Sequence, residues 1–228
     1  PTTAAAIAMT THTLLPQCDT LMLDMDGTLL DLAFDNYMWL QHIPDEYARQ
    51  HGLAADEAHR RLHELFKRLQ GQLEWYCLDH WSERLKLDVV GLHRQQRDRI
   101  GWLPGAQEFL EAMQQRAQRV IMVTNSHPDT LAVKSEVTGI ERYFAHIYTS
   151  HEFGYPKERQ DFWRALAAAE DFDPQRTMFV DDTESVLASA RQFGVGHVVR
   201  VTRPDSTQAT RHCETYVSVE GVRELLPA

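Results

Sequence analysis

Two aspartates one residue apart, in Asp24-Met25-Asp26-Gly27-Thr28, follow the apolar run Thr20-Leu21-Met22-Leu23. On an extended backbone, residues two apart point the same way, so both carboxylates can face one ligand while Met25 packs elsewhere. Gly27 permits a tight turn and a close approach of backbone. One carboxylate of such a pair can act as a nucleophile toward phosphorus, giving an aspartyl-phosphate. The other can protonate a leaving oxygen and then activate water. Phosphate and carboxylate repel each other, so the site must supply positive charge. Asp24, Asp181 and Asp182 are hard oxygen ligands of the kind that suits Mg²⁺, which binds through a few carboxylates and keeps several waters. Lys157 adds a second cation, Thr124 can donate a hydroxyl hydrogen bond, and N–H groups after Gly27 can cradle oxygens. Metal and lysine together would stabilise a phosphoryl group in transfer.

These residues need elements to bring them together. Apolar runs at 20–23, 119–123 (RVIMV), 177–180 (TMFV) and 197–201 (HVVRV) read as buried strands, with 145–148 (AHIY) a weaker one. Asp24, Thr124-Asn125 and Asp181-Asp182 stand at the ends of three of them, and Lys157 lies in the loop after a fourth. Helical spacing of apolar residues marks 105–117, 130–138, 159–170 and 185–193, with Pro104 and Pro128 where helices could begin and Gly139 and Gly194 where two should end. Alternating strands and helices predict an α/β fold, a Rossmann-like parallel sheet covered by helices on both faces. Ligands of such sheets bind beyond the carboxyl ends of the strands, where these polar residues cluster. From 33 to 101 the alternation stops and helical segments follow one another: 36–51, 54–70, 73–85 and 89–100. The expected organisation is a flexible N-terminal segment at 1–17, an α/β core from 18–32 and 102–228, and an inserted α-helical cap at 33–101.

Bulk properties exclude several classes. The chain has 228 residues, 43% hydrophobic and 25% charged, with a formal charge of −10. An acidic surface argues against non-specific binding to nucleic acid or anionic lipid. Three cysteines, Cys18, Cys77 and Cys213, none at CxxC spacing, argue against a zinc ribbon or disulfide framework and fit a reducing compartment. No apolar run approaches the roughly 20 residues of a membrane span. The start lacks the features of a signal peptide, so the cytoplasm is the expected location.

The motifs Asp24-Met25-Asp26-Gly27-Thr28, Thr124-Asn125, Lys157 and Val180-Asp181-Asp182 occur in the order of the four motifs of the haloacid dehalogenase superfamily, which the chain resembles over 20–202. The helical insertion sits where that superfamily places its type 1 cap. The resemblance implies that Asp24 is the nucleophile and Asp26 the general acid/base. It implies that Asp24, the backbone carbonyl of Asp26, Asp181 and Asp182 hold Mg²⁺, while Thr124, Asn125 and Lys157 hold phosphate. Glu158 follows Lys157 where many members have proline. The runs at 24–37, 75–85 and 153–158 are similar to the bacterial GMP/IMP nucleotidases of the superfamily, which implies a small phosphorylated metabolite, a purine 5′-monophosphate, as substrate.

In the cap, Asn36, Trp39 and Tyr76 are candidates to stack on or hydrogen-bond a base. The alternative for Trp39, Trp75 and Trp81 is the core of a small helical subdomain. His59 and His63, four apart, have a metal-ligand spacing, but with Arg60, Arg61 and Lys67 nearby they read as a solvated helix face. Other activities stay open: a sugar-phosphate phosphatase, a phosphomutase, or a binding module without catalysis. Dehalogenation fits less well, because those members lack the acid/base aspartate that Asp26 supplies.

Overall fold

A computed structural model describes residues 14–226. Six parallel strands make one sheet: β1 (Thr20–Leu23), β2 (Arg119–Thr124), β3 (His146–Thr149), β4 (Thr177–Asp181), β5 (His197–Val201) and β6 (Val217–Val219), in the spatial order β3-β2-β1-β4-β5-β6. The strands after β1 go first to one side of it and then to the other. The order therefore reverses at β1, and the C-terminal ends of β1 and β4 border the crevice where such sheets take their ligands.

Alternation along the strands sorts the core into two layers. Leu21, Leu23, Val120, Met122, Met178 and Val180 face one side, together with Phe109 and Leu110 of α7 (Ala106–Met113). Met22, Ile121, Val123 and Phe179 face the other, against Phe162, Trp163 and Leu166 of α10 (Gln160–Ala169) and Leu187 of α11 (Glu184–Phe193). Both faces of β1 are thus dry, which is why its sequence is apolar throughout. The expected flexible segment at 1–17 lies, for 1–13, outside the described residues. From residue 14 the expectation fails, because Leu14 and Leu15 are buried in the first layer.

Between β1 and β2 lie α1 (Ala33–Tyr37), α2 (Ile43–His51), α3 (Ala55–Leu69), α4 (Leu73–Tyr76), α5 (Leu78–Leu85) and α6 (Val89–Gln95), with no strand among the described residues. They pack around their own cluster, which includes Phe34, Met38, Phe66, Leu78, Trp81 and Leu92. Val133 of α8 (Pro128–Thr138) joins this cluster, while Leu131 of the same helix belongs to the sheet layer, so α8 is the floor on which the cap rests. The predicted helix at 36–51 starts earlier and carries a wide π turn at Met38–His42. The predicted helix at 73–85 is two helices, because Cys77 is extended (φ −89°, ψ 109°) and the chain turns there. That break lets the Trp81 indole N–H donate to the Trp75 carbonyl at 2.9 Å. Strand β6 and the four-residue helix α9 (Ser150–Phe153) were not expected; both are too short to show a period.

Trp81 is fully buried, edge-on to Phe66 at 4.9 Å and to Trp39 at 5.9 Å. Truncating so large a core side chain costs about 3–5 kcal/mol. Trp81→Ala should lower the free energy of unfolding by that amount in a urea titration; a cost under about 1 kcal/mol would mean that the cap does not depend on this core.

Candidate active site

Asp24 begins where β1 ends, and its N–H still donates to the Val180 carbonyl of β4 at 3.0 Å. The chain then turns sharply: the N–H groups of Leu29 and Leu30 both reach back to the Met25 carbonyl at 2.9 Å, and Met25 is buried in the sheet layer. The turn requires Gly27. Its φ is +81°, and a Cβ there would lie 2.9 Å from the Cβ of Pro204 and 3.0 Å from the Asp182 carboxyl carbon. The Pro204 and Asp182 side chains therefore occupy the space that a side chain at 27 would take.

Asp24, Asp181 and Asp182 each place a carboxylate oxygen within 4.8 Å of the other two, and all three residues are buried. Lys157, only 2% exposed, inserts its ammonium among them: Nζ donates to Asp24 Oδ1 at 2.6 Å, to Asp181 Oδ2 at 2.7 Å and to the Val123 carbonyl at 3.1 Å. Half-exposed Arg211 reaches Asp182 at 3.1 Å. Burial and the charges of neighbouring aspartates raise the Asp24 carboxyl well above its usual range, against the pull of Lys157. Burial and Asp181 push Asp182 up to about 6. Burial opposes the Lys157 charge too, but Asp181 and Asp24 outweigh it and hold the ammonium above its ordinary range. Three buried carboxylates thus share one buried ammonium and one edge guanidinium. That oxygen-only, charge-deficient donor set fits a hard divalent cation.

Asp26 is held from two sides. Ser126 donates to Oδ2 at 3.1 Å, and Lys134 to Oδ1 at 2.5 Å. Lys134, 1% exposed, also donates to both oxygens of Asp35 on α1 at 2.8 Å. Burial opposes its charge, but Asp26 and Asp35 more than compensate and raise its pKa. Lys134 went unnoticed in the sequence, although there was a signal: it falls three residues after Leu131 and four after Thr130, on the buried face of α8.

The remaining sequence candidates have other partners. Thr124 Oγ accepts from the Ser126 N–H at 3.0 Å, bending the chain at the end of β2. Asn125 accepts from the Lys157 N–H at 2.9 Å and donates to Glu158 at 3.1 Å, so it orients the loop that carries Lys157. The N-cap of α8 is His127, whose Nδ1 accepts from the Asp129 N–H. In the cap, Tyr76 donates to Glu158 at 2.6 Å, and Asn36 donates to Asp205 beyond β5 at 2.7 Å. Trp39 packs among Phe66, Trp75, Trp81 and His93, as part of the cap interior. His59 pairs with Asp45 on the cap surface and His63 is exposed.

Residues 18–194 match the haloacid dehalogenase-like hydrolase family. The chain belongs to that family. Among the relatives of this haloacid dehalogenase-like hydrolase is the GMP/IMP nucleotidase YrfG of Escherichia coli K12, 40% identical over 210 residues, which span 92% of this chain and 95% of the relative; the Shigella flexneri protein of the same name matches equally. Among solved structures, a HAD phosphatase from Thermococcus onnurineus superposes with a TM-score of 0.76 at 19% identity, covering 91% of this chain and 95% of that one. The HAD-hydrolase YfnB of Bacillus subtilis, solved bound to magnesium, superposes with 0.66 at 17% identity, covering 91% and 96%. At these identities the two structures establish a shared fold. The chain is a hydrolase with a haloacid dehalogenase-like core and an inserted helical cap.

Lys134 joins Asp35 of the cap to Asp26 of the core, so removing it strands both carboxylates. Lys134→Met should cost about 3–5 kcal/mol in urea unfolding at neutral pH, and adding Asp35→Asn should recover part of the loss. Burial raises Asp35 from 3.8 to about 6 despite Lys134. A carboxyl raised in the folded state binds more protons folded than unfolded, so it favours folding below its unfolded pKa, and this is lost as the pH rises through about 6. Asp35→Asn should flatten the stability profile between those values; an unaltered slope would refute the assignment.

Proposed function

We propose that the chain is a Mg²⁺-dependent phosphate monoester hydrolase that acts through an aspartyl-phosphate on Asp24, with purine nucleoside 5′-monophosphates, GMP and IMP, as substrates. The observation that carries this reading is the buried cluster of Asp24, Asp181 and Asp182 around Lys157, with Asp26 two residues beyond the nucleophile. The substrate class rests on the 40% identity to a protein named as a GMP/IMP nucleotidase, maintained over nearly the full length of both chains.

In this reading Asp24, the Asp26 carbonyl, Asp181 and Asp182 hold the metal, and Gly27 keeps side-chain bulk away from it. Bound there, Mg²⁺ supplies charge that offsets the repulsion between phosphate and carboxylate. An Asp24 carboxylate oxygen attacks phosphorus, and the bond from phosphorus to the ester oxygen breaks with its electron pair leaving on that oxygen. The Asp26 carboxyl donates the proton that oxygen takes up. Asp26, now a carboxylate, then accepts a proton from water as the water oxygen attacks the phosphorus of the aspartyl-phosphate, which releases inorganic phosphate and restores Asp24. Lys157 and the Thr124 hydroxyl bind phosphoryl oxygens, and Asn125 holds the Lys157 loop in place. Ser126 and Lys134 fix the direction in which Asp26 presents its oxygens.

Residues 33–101 act in this scheme as a lid that excludes water during transfer and selects the leaving group. Of the three cap candidates, Tyr76 is the one linked to the phosphate loop, through Glu158 and Asn125. No described helix is long and apolar enough to cross a membrane. A cytoplasmic location fits a nucleotide substrate and the unpaired cysteines.

Phosphate release from a panel of nucleotides and sugar phosphates, with Mg²⁺ or EDTA, tests the reading. GMP and IMP should be hydrolysed with Mg²⁺ only, and Asp24→Asn should abolish turnover. Release from sugar phosphates alone would keep the chemistry and overturn the substrate class. Asp26→Asn should lower kcat about 100-fold or more while leaving substrate binding nearly intact, the size expected when a positioned acid/base is lost. Equal kcat in mutant and parent would remove Asp26 from that role.

A further inference from the structure

Away from the carboxylate cluster, three side chains with softer donor atoms meet where the cap rests on the sheet. Cys77 stands at the break between α4 and α5, His127 at the N-cap of α8 and His151 in α9. One donor atom of each lies within 4.8 Å of the other two. The two imidazoles meet edge to face with centroids 4.8 Å apart. His127 is 8% exposed; its Nδ1 lies 3.3 Å from the Asp129 backbone nitrogen and 3.6 Å from the Asp129 carboxylate, so a ring that ligates through Nε2 would carry its proton on Nδ1 and turn it to that carboxylate. His151 Nε2 is shielded from solvent and has no hydrogen-bond partner.

Aromatic packing alone explains the ring contact but not the bare nitrogen. A buried polar atom without a partner costs about 1–3 kcal/mol, which a bound cation would remove; the Nε2 atoms of His42, His80 and His93 are bare as well, so what marks this place is the convergence of three donors. Thiol sulfur and imidazole nitrogen are the donors zinc prefers; magnesium prefers oxygen. The Cys77 sulfur already accepts from the His80 N–H at 3.5 Å, a contact that would orient and support a thiolate. The exposed Asp79 carboxylate, 3.7 Å from His127 Nε2, stands where a fourth or outer ligand would be.

We propose that Cys77, His127 and His151 bind a thiophilic divalent cation, Zn²⁺ in the first instance, at a site separate from the carboxylate cluster. Cys77 comes from the cap, His127 from the loop between β2 and α8, and His151 from α9 directly after β3. A bound ion would therefore cross-link cap and core.

The full-length chain, kept in excess Mg²⁺ so that the oxygen site is filled, is titrated with Co²⁺ as the spectroscopic probe and then with Zn²⁺. The parent should develop a near-ultraviolet thiolate-to-cobalt charge-transfer band that saturates stoichiometrically and is bleached by Zn²⁺. Three aspartates cannot produce such a band. It should vanish in Cys77→Ser, and His151→Gln should weaken cobalt binding by at least about tenfold. No band in the parent, or a band that persists in Cys77→Ser and so belongs to Cys18 or Cys213, would overturn the proposal. If circular dichroism shows that Cys77→Ser does not fold, His151→Gln decides, and unchanged cobalt affinity there would overturn it.

Discussion

An ammonium buried between two buried carboxylates sets the terms for this structure. Lys157 contacts Asp24 and Asp181 with almost no solvent access. Taking three charges out of water costs several kcal/mol each, and the cost is recovered only when geometry and hydrogen bonding are good. The sheet provides that geometry. Hydrogen bonding of β1 to β4 sets Asp24 and Asp181 side by side, and the Asn125 side chain at the end of β2 grips the Lys157 backbone. The apolar layers on both sides of β1 keep the strands in register, so a slip of one residue would turn the carboxylates into the core. The chemistry and the core thus impose the same register from opposite directions.

Charge also governs how the cap is attached. The cap has its own apolar cluster and could be held by apolar contact alone, as at Val133. Near the site it is held instead by polar side chains that also serve the core. Lys134 binds Asp35 of the cap and Asp26 of the core with one ammonium. Asn36 reaches Asp205 beyond β5. These contacts are directional and exchange with water at modest net cost, whereas a large apolar seam must expose its whole area when it opens. A seam of this kind suits a cap that lifts. It also means that cap position and Asp26 orientation cannot vary independently, because Lys134 is common to both.

Much of this was legible in the sequence, and for a definite reason. Strand-end aspartates and a glycine with positive φ are local features: the apolar run before Asp24 and the turn residues after it together announce a strand, a turn and a pair of carboxylates. The helical cap was legible because 33–101 contains helical periods without any strand run. What escaped depends on contacts across the chain. Lys134 looks like one more helix lysine until α8 is seen to be buried on two sides. Arg211 comes to Asp182 from a C-terminal loop without periodicity. Trp39 allowed two readings on side-chain chemistry, base stacking or cap core; four aromatic neighbours within the cap surround its ring, and no local pattern distinguishes those cases. Cys77 interrupts an otherwise plausible helix: the chain turns there against local propensity, and the turn brings the Trp81 indole to the Trp75 carbonyl.

Glu158 shows how a departure from a motif can acquire a use. Many superfamily members have proline after the motif lysine; here a carboxylate stands next to Lys157, the residue proposed to bind phosphate. An extra anion there would repel a phosphate dianion unless its charge were committed elsewhere. Both oxygens are committed: one accepts from Tyr76 of the cap, the other from Asn125 of the sheet loop. Asn125 in turn accepts from the Lys157 N–H, so a continuous hydrogen-bonded path runs from a cap helix to the backbone of Lys157. Proline could make neither side-chain contact. If the cap lifts, Tyr76 leaves and one Glu158 oxygen loses its donor, so the hydrogen-bonded path from the cap to the Lys157 loop is broken. The same carboxylate thus ties the position of the cap to the position of Lys157.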